Sequence, residues 1–90
     1  MENIKGFVYI LISQKDGNRY IGSTSDLKRR LKEHNDGSVI STKNRRPFKL
    51  FAYQTLDDIV EARLLERKYK KSRGTTERAI KSGLFVIFGV

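Results

Sequence analysis

The chain holds no cysteine and only one histidine, His34, in its 90 residues. The first absence removes disulfides, thiolate metal sites and thiol nucleophiles. The second removes centres built from several histidines. Long apolar runs are missing too. The run "LFVIF" at 84–88 is far too short to span a bilayer and lies at the wrong end for a signal peptide. These absences lead to the expectation of a soluble, cytoplasmic protein with no membrane partner. Acidic residues are also scarce, with 10 Asp and Glu against 19 Lys and Arg, a net charge of +9. So dense a positive charge points to a polyanionic partner, nucleic acid before an anionic membrane surface.

What is present suffices for one small core. Ninety residues allow a single domain, 1–90, and the apolar share is 38%, with five Phe and four Tyr. Residues 6–13, "GFVYILIS", are rich in β-branched and aromatic side chains and predict a strand buried on both faces. Asp16-Gly17 is a hairpin-turn signal, and "RYIGS" at 19–23 returns as the second strand. Ser25 or Thr24 is placed to cap a helix running to about His34, with Asp26 in its first turn and "HNDGS" ending it. A polar, basic loop over 36–47 carries Thr42, Lys43, Arg45 and Arg46, and Pro47 closes it. "FKLFAYQT" alternates as a third strand. Asp58 and Glu61 resemble a capping box opening a helix to Ser72. "RG" at 73–74 is expected to break that helix, with "TTERAIKSG" as a last short one. The order β-β-α-β-α-α predicts an α+β domain whose small, mainly antiparallel sheet is covered by helices. The tail "LFVIFGV" at 84–90 suits an edge strand, a core segment or a dimer contact equally well.

Helix faces single out particular residues. At 100° per residue with Leu27 at zero, Leu31 falls at about 40°, Arg30 at about 300° and His34 at about 340°. Lys28, Arg29, Lys32 and Glu33 fall on the opposite side. Arg30 and His34 therefore share the apolar arc. Arg30 snorkelling along the apolar edge and His34 as a buried or helix-ending histidine are the structural alternatives to an anionic site. On the second helix Glu66 leaves from the face occupied by Ile59 and Ala62. A buried carboxylate needs a cation or several donors. A Glu66–Arg30 ion pair would satisfy it, as would a single bound metal such as Mg²⁺ that keeps most of its waters. Tyr9 and Tyr20 lie on the two hairpin strands. A two- or four-residue loop centred on Asp16-Gly17 puts both on one sheet face, offset by four residues, roughly 13 Å.

These residues together form a pattern. "VYI" at 8–10 and "YIG" at 20–22 resemble the two halves of the GIY-YIG nuclease motif, although the first reads Phe-Val-Tyr in place of Gly-Ile-Tyr. "RRLKEHN" at 29–35 is similar to the family's arginine-bearing helix, "EARLLERKYK" at 61–70 to its glutamate helix, and "STKNRRPFKL" at 41–50 to the loop and third strand of its small stand-alone bacterial members. The resemblance covers about 6–82. Some members carry an asparagine after the glutamate helix, and 67–90 holds none.

The resemblance implies a three-stranded antiparallel sheet flanked by helices, the GIY-YIG endonuclease fold. It also implies divalent-metal cleavage of DNA phosphodiesters, as in the nuclease module of the ABC excinuclease and in certain homing endonucleases. By position, Tyr20 would be the general base or water-orienting phenol, assisted by Tyr9, with a nearby cation lowering the tyrosine pKa. Arg30 would stabilise the pentacovalent phosphate, His34 would assist by hydrogen bonding or proton transfer, and Glu66 would hold Mg²⁺ or Mn²⁺. Gly22 would let the backbone turn close beside the site. Lys43, Arg45 and Arg46 are the loop candidates for DNA phosphate contact. With no second DNA-binding domain in the sequence, such a nuclease would be selective for DNA structure, weakly selective for sequence, or targeted by a protein partner.

Overall fold

A computed structural model describes residues 4–88. The buried run near the N-terminus forms β1 (Gly6–Ser13), which is central in the sheet because both of its faces are covered. It pairs antiparallel with β2 (Arg19–Thr24) on one side and β3 (Phe48–Leu56) on the other. A two-residue strand, β4 (Val86–Ile87), adds antiparallel to β3. The sheet thus has four strands among the described residues, in the order β2-β1-β3-β4, rather than the expected three. The fourth comes from the tail. Phe85 is buried against Tyr69, the Phe88 amide donates to the Phe51 carbonyl, and the Phe88 ring lies against Tyr53. Residues 89 and 90 of that tail lie outside the described residues.

The hairpin register differs from the expected one. Ser13 sits at the base of a four-residue loop, 14–17, and its Oγ accepts from the amides of Lys15 and Asp16, both at 3.1 Å. Gly17 follows at φ +73°, and the Ser13 amide donates to the Asn18 carbonyl across the base. The loop is therefore centred one residue earlier than Asp16-Gly17. Tyr20 consequently faces Leu11 and Tyr9 faces Gly22, so the two tyrosines are offset by two residues instead of four. They become diagonal neighbours on one face, with ring centroids 6.4 Å apart.

Among the described residues three α-helices cover the sheet: α1 (Leu27–Asp36), α2 (Ile59–Lys71) and α3 (Arg73–Lys81). The α1 cap is Asp26 itself, whose carboxylate accepts from the Arg29 amide, and not Ser25 or Thr24. Thr24 instead accepts from the Asp26 amide and aims the chain into the helix. Asp58 caps α2 through the Val60 amide. Arg73 and Gly74 do not break the helical region as expected. The break falls at Ser72, which is extended (φ −141°, ψ 109°) and caps α3 by accepting from the Thr75 amide. One sheet face, with Val8, Ile10 and Ala52, packs on Ala62 and Tyr69 of α2, Ala79 of α3 and Phe85. The other, with Tyr9, Leu11 and Phe48, packs beside Leu27 and Leu31 of α1. No helix among the described residues is long and apolar enough to cross a membrane.

Candidate active site

The site grows from the register of β1 and β2. Because Tyr9 stands opposite Gly22, its ring folds across the glycine, and a Cβ at residue 22 would overlap the phenol oxygen and its ring carbon. Only glycine lets the phenol lie against this edge strand. From α1, His34 reaches the same point and is fully buried. Its Nε2 lies 2.9 Å from the Tyr9 hydroxyl, and its Nδ1 lies 2.8 Å from Thr42 Oγ1. Tyr20 and Phe48 close around the imidazole edge-on, at 5.1 and 5.7 Å between centroids.

Burial sets the protonation of this cluster. It pushes the Tyr9 phenol up to about 12, although the Arg30 guanidinium beside it pulls the other way. The lowered tyrosine pKa expected from a neighbouring cation is not found at Tyr9. Arg30 acts in that direction, and desolvation outweighs it. Burial and the Arg30 charge together bring His34 down to about 4, so the ring is neutral. A protonated phenol beside a neutral imidazole leads Tyr9 to donate to His34 Nε2. The Nδ1 hydrogen then goes to Thr42 Oγ1, and the Thr42 hydroxyl points at the Val39 carbonyl, 3.4 Å away. That last contact favours the tautomer with its hydrogen on Nδ1. Arg30 is half-buried, with Nη1 3.0 Å from Glu33 Oε1 and the guanidinium close to Tyr9.

Glu66 approaches from the opposite sheet face. Ser23, next to Gly22 on β2, donates its hydroxyl to Glu66 Oε1 at 2.5 Å. Lys70, one turn on along α2, holds Oε2 at 2.7 Å. The cation on Glu66 is therefore Lys70 and not Arg30. The Lys70 ammonium also lies 5.3 Å above the Tyr20 ring. The site consequently straddles the edge strand β2, with Tyr9, His34 and Arg30 on the α1 side and Glu66 on the α2 side. Tyr9 feels the Glu66 charge, which raises its pKa further.

Among the described residues there is no cluster of three or more His, Asp or Glu to cage a metal. A half-buried carboxylate that already draws one ammonium is nonetheless a suitable single ligand for a hard divalent cation that keeps its waters. Ser23, Thr42 and Lys70 were not singled out as site residues from the sequence. Lys70 carried a signal in its i,i+4 spacing from Glu66. Thr42 carried none, because a loop residue's tertiary contact leaves no periodic trace.

The loop candidates separate from one another. Arg45 Nε and Nη2 grip the two Asp16 carboxylate oxygens at 2.7 and 3.2 Å, and the guanidinium lies over the Phe48 ring. That pairing holds the Asp16 carboxyl down at about 2. Arg45 thereby ties the loop to the hairpin. Arg46 donates to the Lys43 carbonyl, and both Lys43 and Arg46 are exposed.

Residues 5–79 match the GIY-YIG catalytic domain. The chain belongs to the GIY-YIG family. Among similar proteins, a UPF0213 protein of Bacillus licheniformis is 39% identical over 82 residues, covering 89% of this chain and 84% of the relative. The UPF0213 protein YazA of Bacillus subtilis is 39% identical over 72 residues, covering 79% and 72%. The solution NMR structure of the UPF0213 protein BH0048 from Bacillus halodurans is 35% identical, with a TM-score of 0.53, and the match covers 89% of this chain and 86% of that one. The protein is thus similar throughout to a small, stand-alone GIY-YIG group, and the sheet-and-helix fold is the one expected of that family.

Proposed function

We propose that this GIY-YIG protein is a metal-dependent DNA endonuclease that hydrolyses phosphodiester bonds, acting on nicked, branched or damaged DNA in repair or recombination. The observation that carries this reading is the hydrogen-bonded Tyr9–His34 pair beside Arg30, with Glu66 across the same edge strand. A phosphodiester seated over Gly22 meets a cation, a carboxylate and a phenol that has somewhere to send its proton. Mg²⁺ or Mn²⁺ held by Glu66 would supply Lewis-acid stabilisation of the charge gathering on the phosphoryl oxygens.

The chain's own groups do the rest. Arg30 faces the phosphate and stabilises the pentacovalent arrangement. As water attacks phosphorus, its proton passes to the Tyr9 oxygen while the Tyr9 proton passes to His34 Nε2. The phosphorus–oxygen bond to the leaving strand breaks in the same displacement, and the departing oxygen takes its proton from solvent. This relay makes Tyr9 the proton-transferring phenol and Tyr20 the water-orienting one, because Tyr9 is the tyrosine bonded to an imidazole. The arriving phosphate places negative charge beside Arg30 and so offsets the part of the His34 depression that the guanidinium adds to burial. Thr42 holds the imidazole in the orientation this requires. Lys43 and Arg46 serve as phosphate contacts from the exposed loop, while Arg45 positions that loop.

The experiment is cleavage of labelled duplex, nicked, bubble and branched DNA in Mg²⁺ or Mn²⁺, beside Glu66→Ala and an EDTA control. The proposal expects metal-dependent cutting, greatest on the interrupted substrates and abolished in Glu66→Ala. No cutting above the Glu66→Ala trace on any substrate would overturn it, and retained DNA binding in that case would indicate a binding module that keeps only the fold.

A further inference from the structure

Bordering Tyr20, the start of β2 and the α2–α3 junction enclose an open groove of about 410 Å³. Its wall carries three cations, Arg19, Lys70 and Arg73, and no carboxylate lines it. The Tyr20 ring and the neighbouring Ile21 give it a partly apolar floor. Two of the cations are held in place by partners outside the groove. Arg19 lies over the Phe51 ring at 5.2 Å and pairs with Glu77, while Lys70 pairs with Glu66. Arg73 has no ion-pair partner among the described residues. It is exposed at the first position of α3, where a cation opposes the helix dipole and gains nothing from the helix itself. A solvent-facing arginine beside two fixed cations leaves a net positive concavity on the flank of the candidate active site.

We propose that this groove is a second nucleic-acid subsite, receiving the DNA strand on one side of the scissile phosphate, with a backbone phosphate on Arg73 and Lys70 and the adjoining sugar or base against Tyr20. The inference rests on the nuclease reading for its substrate and names a binding surface that reading did not contain. Charge complementarity identifies the occupant, because a strand passing over Gly22 and Tyr20 meets cations in this direction and an aromatic ring where a nucleotide can lie. Lys70 bridges the two parts of the surface, since its ammonium contacts Glu66 on one side and lines the groove on the other. The Lys43–Arg46 loop is a separate surface, lining a different depression with Lys15 and Asn35.

The test is fluorescence anisotropy of a labelled nicked duplex in EDTA, where binding is read without cleavage, over a series of salt concentrations. Arg73→Ala and Arg73→Glu are compared with Arg78→Ala, which removes an exposed charge from the same helix outside the groove. Arg73→Ala is expected to weaken binding on the order of three- to tenfold and to lower the salt slope by about one, with Arg73→Glu weaker still. Arg78→Ala should stay within about twofold of wild type. Equal effects at 73 and 78, or unchanged affinity and slope in both Arg73 variants, would overturn the groove as a subsite. The two proposals fail separately. Wild-type cutting with unaltered Arg73 variants removes only the groove, whereas lost binding in Arg73 variants of a protein that does not cut removes only the nuclease. A wild type that binds no DNA at low salt removes both.

Discussion

The two faces of the sheet are built on different physics. Against α2 and α3 the buried set is Val8, Ile10, Ala52, Ala62, Ala79, Tyr69 and Phe85, held mainly by apolar contact, with the Tyr69 hydroxyl donating to Gln54 Oε1 at its margin. Its buried Thr76 hydroxyl bonds only to nearby carbonyls where the two helices join. Against α1 the burial includes His34, Thr42 and the Tyr9 phenol, joined through directed hydrogen bonds. Burying these groups carries a desolvation cost that an apolar filling would avoid. The first face supplies cohesion, and the second spends part of it to fix a phenol, an imidazole and a guanidinium beside one glycine. On the nuclease proposal, stability and chemistry should therefore separate under mutation, even though they share strand β1.

The largest effect is expected at Glu66, the carboxylate that reaches the candidate site from the α2 side. Glu66→Ala should lower metal-dependent cleavage by about 10³-fold or more, with the melting curve close to wild type, because the half-buried carboxylate lies outside the apolar cluster. The rate is read by gel under single-turnover conditions and the fold by thermal melting. A variant that unfolds instead would show that the carboxylate serves packing.

The apolar face should respond the opposite way. Ile10 is fully buried, and Ile10→Ala is expected to cost roughly 2–5 kcal/mol in urea unfolding while leaving the cleavage rate per folded molecule unchanged. A lost rate at full stability would break the division between the faces.

The histidine gives the comparison a pH signature. His34 is held at about 4 in the fold against an ordinary 6.5, facing Tyr9, Thr42 and Arg30, with Glu33 one residue before it. The unfolded chain therefore binds a proton between these values that the folded chain refuses. Its contribution to stability is intact above pH 6.5 and is lost as pH falls towards 4. Urea midpoints at about pH 7.5 and about pH 5 should differ more for wild type than for His34→Gln. Equal differences would mean that the imidazole titrates as it does in water.

The smallest effect lies at the loop. Arg45→Ala removes the clamp on Asp16 and should lower the melting temperature slightly, with DNA affinity in EDTA moving less than it does for Lys43→Ala combined with Arg46→Ala. The reverse order would return Arg45 to the DNA-contacting surface.

How much of this was legible in the sequence depended on whether a local pattern carried it. β1 was, because β-branched and aromatic side chains in a short apolar run favour a strand over a buried helix. The inward arc of Arg30 and His34 was, because helical spacing places side chains by angle alone. The tyrosine register was not. It turns on Ser13 Oγ organising the loop, a hydroxyl-to-amide contact that shifts the turn by one residue and the pairing by two. Lys70 as the cation on Glu66 was not among the readings, an Arg30 ion pair or a bound metal, because Arg30 and Glu66 both point inward and only the fold shows that they approach β2 from opposite faces. Strand β4 was open among three readings since a two-residue strand is defined by its neighbour, here Ala52 and Tyr53. Ser72 acting as both the end of α2 and the cap of α3 was hidden by the stronger signal of the glycine that follows.

Tyr9→Phe tests the division between the faces most directly. The substitution keeps the ring over Gly22 and removes only the hydroxyl, at a stability cost of about 1–2 kcal/mol from the lone pair it leaves on His34. Single-turnover cleavage in saturating Mg²⁺ should fall about 10²- to 10⁴-fold with the protein still folded. A folded Tyr9→Phe protein that cuts at the wild-type rate would contradict the claim that the α1 face carries the chemistry through this phenol.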